Sequence, residues 1–198
     1  TTTKDTPVLK AVKGRIDEMS DSALDYSLHA KFINAGESSR DLKNTVKKLV
    51  EAGVPTFKMF TIYPGVRIED SDILKIMEAA KQEGALCGFH AESNAIADFM
   101  TKKLLDEGKT DWENFNKAKP NACEAEAVNR IITFSELLDA PVYFYHLTTK
   151  EAIELVRQAK KRGVKVQAET CSHYLTLTEE KNKGENGIDY LMSPPLRT

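Results

Sequence analysis

The stretch KKLVEAGVPTFKMFTI, residues 47–62, carries two different signals back to back. Its first part, KKLVEAG, opens on two lysines, placed in the last turns of a helix, and carries a glycine at position 53, where a helix commonly ends in a left-handed cap. Its second part, VPTFKMFTI, is rich in aromatic and β-branched residues and reads as a strand. The unit is a helix feeding directly into a strand, and it recurs: KIMEAAKQEG leads into ALCGFH, ending at 90, and VRQAKKRG leads into VKVQAE, ending at 169. DYSLHAKFI (25–33) and PVYFYHL (141–147) read as two more strands, which makes five. Helices are expected over 39–52, 71–83, 94–107, 121–138 and 149–162. In the last, Ala152, Leu155, Val156 and Ala159 form one apolar stripe, and Thr148 or Thr149 supplies the N-cap. The polar segment 108–120 ends in proline and reads as an excursion between two helices, and 179–189 as a solvated loop.

Strands that alternate with helices and are almost continuously apolar imply a parallel sheet covered on both faces. An open doubly wound sheet and a (β/α)₈ barrel both satisfy this. No GxGxxG or GxxxxGK[ST] supports a nucleotide-binding open sheet, so the predicted fold is a parallel (β/α) barrel. A full barrel takes about 250 residues and eight strands. This chain has 198 residues and five predicted strands, so residues 1–198 read as part of a single barrel domain.

Lys and Arg total 28 against 30 Asp and Glu, which leaves no basic excess to attract a phosphate backbone, and nucleic acid is not an expected partner. The start TTTKDTPVLK lacks the basic-then-apolar pattern of a leader, and no apolar run reaches the roughly 18 residues of a membrane span. Cys87, Cys123 and Cys171 are widely spaced without a CxxC pair and read as small buried residues. A soluble, cytoplasmic protein is the expectation. An incomplete barrel exposes strand edges and apolar surface, so self-association is expected too.

In barrels the reactive side chains stand at the C-terminal ends of strands. Strand 54–62 holds Lys58 and is followed by Tyr63, strand 85–90 ends in His90, strand 141–147 carries His146, and strand 164–168 runs into Glu169 and Thr170. Two imidazoles delivered to one end of a sheet suit a metal. Lys58 has competing readings: a side chain that snorkels to solvent, or a Schiff-base lysine whose pKa is lowered by burial. An ammonium does not ligate a metal, so Lys58 enters a metal site only if its charge is removed or inverted. Glu92 and Glu169 read either as carboxylates that orient ligands or as exposed loop residues.

The motifs TFKMFTIY, GFHAES, YFYHLTT, AETCSHYL and MSPPLRT, in this order and near this spacing, resemble the cyclic-amide hydrolases of the amidohydrolase superfamily, of the D-hydantoinase and dihydropyrimidinase type. The resemblance runs from about DYSLHAKF to the C-terminus. It implies that Lys58 is carbamylated by CO₂ and bridges two divalent metal ions, zinc or manganese, with His90 and His146 as ligands of one of them. It implies further that Tyr63 stabilises the oxyanion, that the backbone of Ser193 contacts the substrate ring, and that the substrate is a small cyclic amide or ureide opened to an N-carbamoyl amino acid. Allantoinase- and dihydroorotase-like hydrolases and a non-catalytic dihydropyrimidinase-like scaffold are the alternatives. The family's HxH pair and late aspartate have no counterpart here, and Ser172 stands where proline is common. The chain alone is therefore expected to be inactive.

Overall fold

The computed structural model describes residues 6–36 and 38–198; TTTKD, part of the stretch read above for a leader, lies outside them. Five strands, β1 (Ala30–Lys31), β2 (Thr56–Phe60), β3 (Leu86–His90), β4 (Val142–Phe144) and β5 (Val166–Ala168), form one sheet in which all neighbours are parallel. Their spatial order is their chain order. A doubly wound sheet reverses direction at a switch point. This one never reverses, so right-handed crossovers place successive helices on the same side, which is the arrangement of an arc of a (β/α) barrel.

Helices α1 (Val8–Glu18), α2 (Ser39–Glu51), α3 (Asp70–Gln82), α4 (Asn94–Asp106), α5 (Phe115–Ala118), α6 (Asn121–Leu138) and α7 (Lys150–Lys161) complete the fold. Among the described residues, no helix is long and apolar enough to cross a membrane. Thr149 caps α7 by accepting from the Ala152 amide at 3.2 Å. Gly53, Gly84 and Gly163, each just past a helix end, have φ of 79°, 69° and 86°, as the helix-to-strand reading requires.

The two faces of the sheet differ. Phe57 and Met59, and beside them Cys87, Phe89, Val142 and Phe144, are sealed against Leu49, Ile76, Ile131 and Val156 of the helices. Each fully buried large side chain contributes about 1.5–3 kcal/mol. The alternate residues Thr56, Lys58 and Phe60 point the other way and are only half-buried. Lys58 is in register with Gly88, Gly88 with Tyr143, and Phe60 with His90, so these share that second face. A Cβ on Gly88 would stand 2.5 Å from the Tyr145 ring, so the glycine makes room for that ring across the inner face.

Three expectations need correction. The strand predicted over 25–33 pairs only at Ala30 and Lys31; the preceding residues have no strand to pair with, and Tyr26 is exposed. Helix α1 was not anticipated, since Gly14 interrupts a narrow stripe of Val8, Val12 and Ile16. The tail 179–189 is not simply a solvated loop. It forms short 3₁₀ turns at Glu179–Asn182 and Gly187–Tyr190, and it docks on the 108–120 excursion through Asn182 to Asn116 (2.9 Å) and the Gly184 amide to Glu113 (2.9 Å). The two polar segments are thus tied together around the buried Asn182 side chain.

Two substitutions test this packing. Glu124 of α6 is buried and accepts from the amides and hydroxyls of Thr148 and Thr149 at 2.7–3.2 Å, tying α6 to the start of α7. Glu124→Ala is expected to lower unfolding stability in urea by about 2–4 kcal/mol, and an unchanged midpoint would contradict that role. Gly88→Ala is expected to cost about 1–3 kcal/mol, and markedly less in a Tyr145→Ala background. Additive losses in the double variant would show that the two residues do not compete for space.

Candidate functional site

The site begins with two imidazoles. His90 closes β3 and is almost fully buried. His146 lies two residues beyond β4, with φ of 42°, a left-handed conformation that a residue with a side chain adopts only at some cost. That turn brings its Nε2 to 3.1 Å from His90 Nδ1, with the rings edge to face at 4.7 Å. The opposite nitrogen of His90, Nε2, meets Glu92 Oε2 at 2.8 Å. With Nε2 engaged by the Glu92 carboxylate, Nδ1 is the nitrogen that His90 turns toward His146. Burial, with the neighbouring His90, pulls His146 down to about 4, so its ring is neutral above that pH. Its Nδ1 is buried and has no hydrogen-bond partner.

Lys58 lies on the same face. Among the described residues its ammonium has no hydrogen-bonded partner; it sits 4.3 Å from the Tyr145 ring centre and 5.3 Å from that of Phe60. Phe60 stacks on His90 at 5.4 Å and Tyr145 neighbours His146 at 6.3 Å, so the lysine and the two histidines border the same pair of aromatic rings. Partial burial lowers the Lys58 pKa, against the opposing charge of Glu169. The neutral amine, the nucleophilic form, is thereby favoured.

Beyond the histidines stands a compact polar group. Tyr63 follows β2 with φ of 81°, a second strained residue at the same end of the sheet. Its hydroxyl lies 3.2 Å from Glu92 Oε2, 3.0 Å from Lys119 Nζ and within hydrogen-bonding contact of Ser193 Oγ. Burial raises the Tyr63 pKa, so the phenol keeps its proton. Glu92 has no exposure to water. Burial opposes its ionisation, but the His90 hydrogen bond and the Lys119 charge hold its carboxyl down to about 2. Its Oε1 has no partner in the interior. Thr61 locks the frame: its hydroxyl donates to the Glu92 carbonyl at 2.7 Å and lies 3.0 Å from the Glu92 amide, tying the turn after β2 to the turn after β3.

The structure thus gathers Lys58, Tyr63, His90, His146 and Ser193 at one end of the sheet. Glu92 belongs with them, whereas Glu169 is exposed and accepts from the Tyr143 hydroxyl at 2.8 Å. His29, paired with Thr56 at 2.8 Å, and His173, packed on Tyr174 at 4.2 Å, stand outside the group. Nothing in the sequence singles out Lys119, whose polar excursion reads as a connector, yet it is buried at the centre of this group. The one local hint is its place immediately before Pro120, which opens α6. Among the described residues no three His, Cys, Asp or Glu side chains form a cation cage.

No family model matches the chain. A D-hydantoinase from Ralstonia pickettii is 36% identical over 179 residues, which is 89% of this chain and 38% of that protein. A solved D-hydantoinase structure superposes with a TM-score of 0.93 at 33% identity, covering 100% of this chain and 43% of the other. The dihydropyrimidinase from Brevibacillus agri NCHU1002 superposes with a TM-score of 0.93 at 29% identity, covering 99% and 43%. The barrel arc and the order of its strands are therefore those of hydantoinases. By sequence and by fold, the chain is a homologue of the D-hydantoinases and dihydropyrimidinases, matching about two fifths of their length.

Proposed function

We propose that this chain supplies one side of the active site of a metal-dependent cyclic amidohydrolase, which opens a hydantoin or dihydropyrimidine ring to an N-carbamoyl amino acid. The observation that carries this reading is the convergence of His90 and His146, nitrogen to nitrogen at 3.1 Å, beside a half-buried lysine that has no hydrogen-bonded partner among the described residues. Two nitrogens bound at about 2.0–2.1 Å to one tetrahedral ion lie roughly 3.3 Å apart, so the spacing suits a shared cation. The unpartnered buried Nδ1 of His146 and Oε1 of Glu92 also support a missing polar partner in this interior.

In this reading His90 and His146 would hold one divalent ion, and Lys58 would supply a further donor. Its neutral amine would add to CO₂: a nitrogen–carbon bond forms as one C=O π bond opens onto oxygen, the amine loses one proton to solvent, and the resulting carbamate would offer anionic oxygen donors to a metal. Zinc or manganese bound there would bring hydroxide within reach at neutral pH and polarise the scissile carbonyl. The remaining work belongs to the protein. Glu92 fixes the tautomer and tilt of His90 through Nε2. Tyr63, protonated and held in a strained turn, donates to the carbonyl oxygen as negative charge develops on it. The backbone at Ser193 faces the ring of the substrate, and the exclusion of water around Glu92 strengthens each of these contacts.

Tests use the full-length protein reconstituted with zinc or manganese and bicarbonate, against hydantoin, dihydrouracil, allantoin and dihydroorotate. Turnover of hydantoin or dihydrouracil is expected. Opening of only another ureide would overturn the substrate assignment, and no turnover at all would favour a scaffold role. Lys58→Ala is expected to lose more than the roughly 10- to 100-fold that removing a ligand-orienting partner costs, with partial recovery in propionate, whose carboxylate replaces the carbamate. Tyr63→Phe is expected to lower kcat about 10²- to 10³-fold while metal content stays unchanged; full activity in that variant would contradict its role at the oxyanion.

A further inference from the structure

We propose that Lys119 is a positioning residue of this site: its buried ammonium, bonded at once to the Tyr63 hydroxyl, the Ser193 hydroxyl and the Glu92 carboxylate, holds the Tyr63 phenol as a hydrogen-bond donor toward the reacting carbonyl. This rests on the reading of Tyr63 as the group that meets the developing oxyanion.

An ammonium has three protons and no lone pair. Lys119 Nζ has three acceptors at hydrogen-bond distance: Glu92 Oε2 at 3.0 Å, Tyr63 Oη at 3.0 Å and Ser193 Oγ at 2.5 Å. An ion pair serving only to neutralise Glu92 would leave two protons for water, but just 10% of this side chain is exposed and both protons go to hydroxyls. The consequence is directional. A Tyr63 oxygen that accepts from Lys119 must send its own hydrogen elsewhere. Two acceptors are at hand, Ser193 Oγ in hydrogen-bonding contact and Glu92 Oε2 at 3.2 Å, but Ser193 Oγ already accepts from Lys119, and Glu92 Oε2 already receives His90 Nε2 at 2.8 Å and Lys119 at 3.0 Å. The phenol hydrogen thus shares each of these acceptors with another donor, so an arriving carbonyl oxygen can take it. A neighbouring positive charge also makes a phenol the stronger donor. The ammonium lies 4.6 Å from the Tyr63 ring centre, which restrains the ring as well as its hydroxyl.

Its position is fixed from three elements. Lys119 is the single residue between Ala118, which closes α5, and Pro120, at the start of α6. Its amide donates to the Phe115 and Asn116 carbonyls at 3.3 and 3.2 Å, and its carbonyl accepts from Arg197 Nη1. The segment carrying Arg197 also carries Ser193. The docked tail and the excursion, which pack on each other, therefore deliver the lysine and the serine to Tyr63 together.

In the zinc-loaded full-length protein, Lys119→Met is expected to lower kcat for dihydrouracil about 10- to 100-fold, with KM within about threefold and zinc content unchanged. Lys119→Gln, which keeps a neutral donor, is expected to lose less and serves should the methionine variant fail to fold. Lys165→Met, altering an exposed lysine that pairs with Asp139, is expected to match the unmodified protein. Independently of turnover, protein labelled with ¹³C at tyrosine Cζ is expected to show the Tyr63 resonance, identified by its loss in Tyr63→Phe, displaced in both Lys119 variants. A Lys119 variant that keeps kcat within about twofold, or loses rate through KM alone, overturns the proposal. If the unmodified protein opens no cyclic ureide, the reading of the reaction fails, and the resonance still decides the role of Lys119: an unmoved signal overturns it.

Discussion

A carboxylate that never meets water is the constraint on which the rest of this site depends. Glu92 is ionised in the interior, and a buried charge of that kind costs several kcal/mol unless partners surround it. The chain supplies them from far apart: His90 from the end of β3, Lys119 from between two helices, Tyr63 from a strained turn and Ser193 from the last stretch of chain. Each partner is held in place because Glu92 needs it. Each is also a group that hydrolysis of an amide would use or orient. The electrostatic demand of one side chain therefore organises the polar half of the site.

The other half is organised by the sheet. Parallel strands in unbroken order send alternate residues to a helix-facing core and to an inner face. Lys58 falls on the inner face because Phe57 and Met59 are needed on the other. Gly88 beside it leaves room for Tyr145, whose ring lies against the lysine while its successor His146 turns back toward His90. A charged amine among aromatic rings, without a hydrogen-bonding partner, is an unusual environment for lysine, and it favours the neutral form. A carbamate would exchange that unsatisfied group for a chelated one.

Much of this was legible in the sequence, for physical reasons that differ by residue. Helices that end in glycine and run into apolar strands announce themselves locally, so β2, β3 and β5 and their preceding helices were placed to within a few residues. His90 and His146 could be located because strand ends are where barrels keep chemistry. Lys119 was not legible: its importance comes from contacts 27, 56 and 74 residues away, and nothing in its own neighbourhood reports them. The same holds for the tail, whose polar composition suits solvent and whose docking depends on Asn116 and Glu113 in another polar segment. The first strand was overdrawn because aromatic and β-branched content describes what a strand accepts, while pairing needs a neighbour that β2 offers only at Phe57 and Lys58.

The central claim is that Lys58, His90 and His146 share a cation through a modified lysine. Its most direct test is a crystal structure of the full-length protein grown with zinc and bicarbonate, with diffraction collected on either side of the zinc absorption edge. The account predicts continuous density for a carboxyl group beyond Lys58 Nζ and an anomalous peak within bonding distance of one nitrogen of each histidine. A bare Lys58 ammonium against the Tyr145 ring, with no anomalous signal beside His90 and His146, would contradict it.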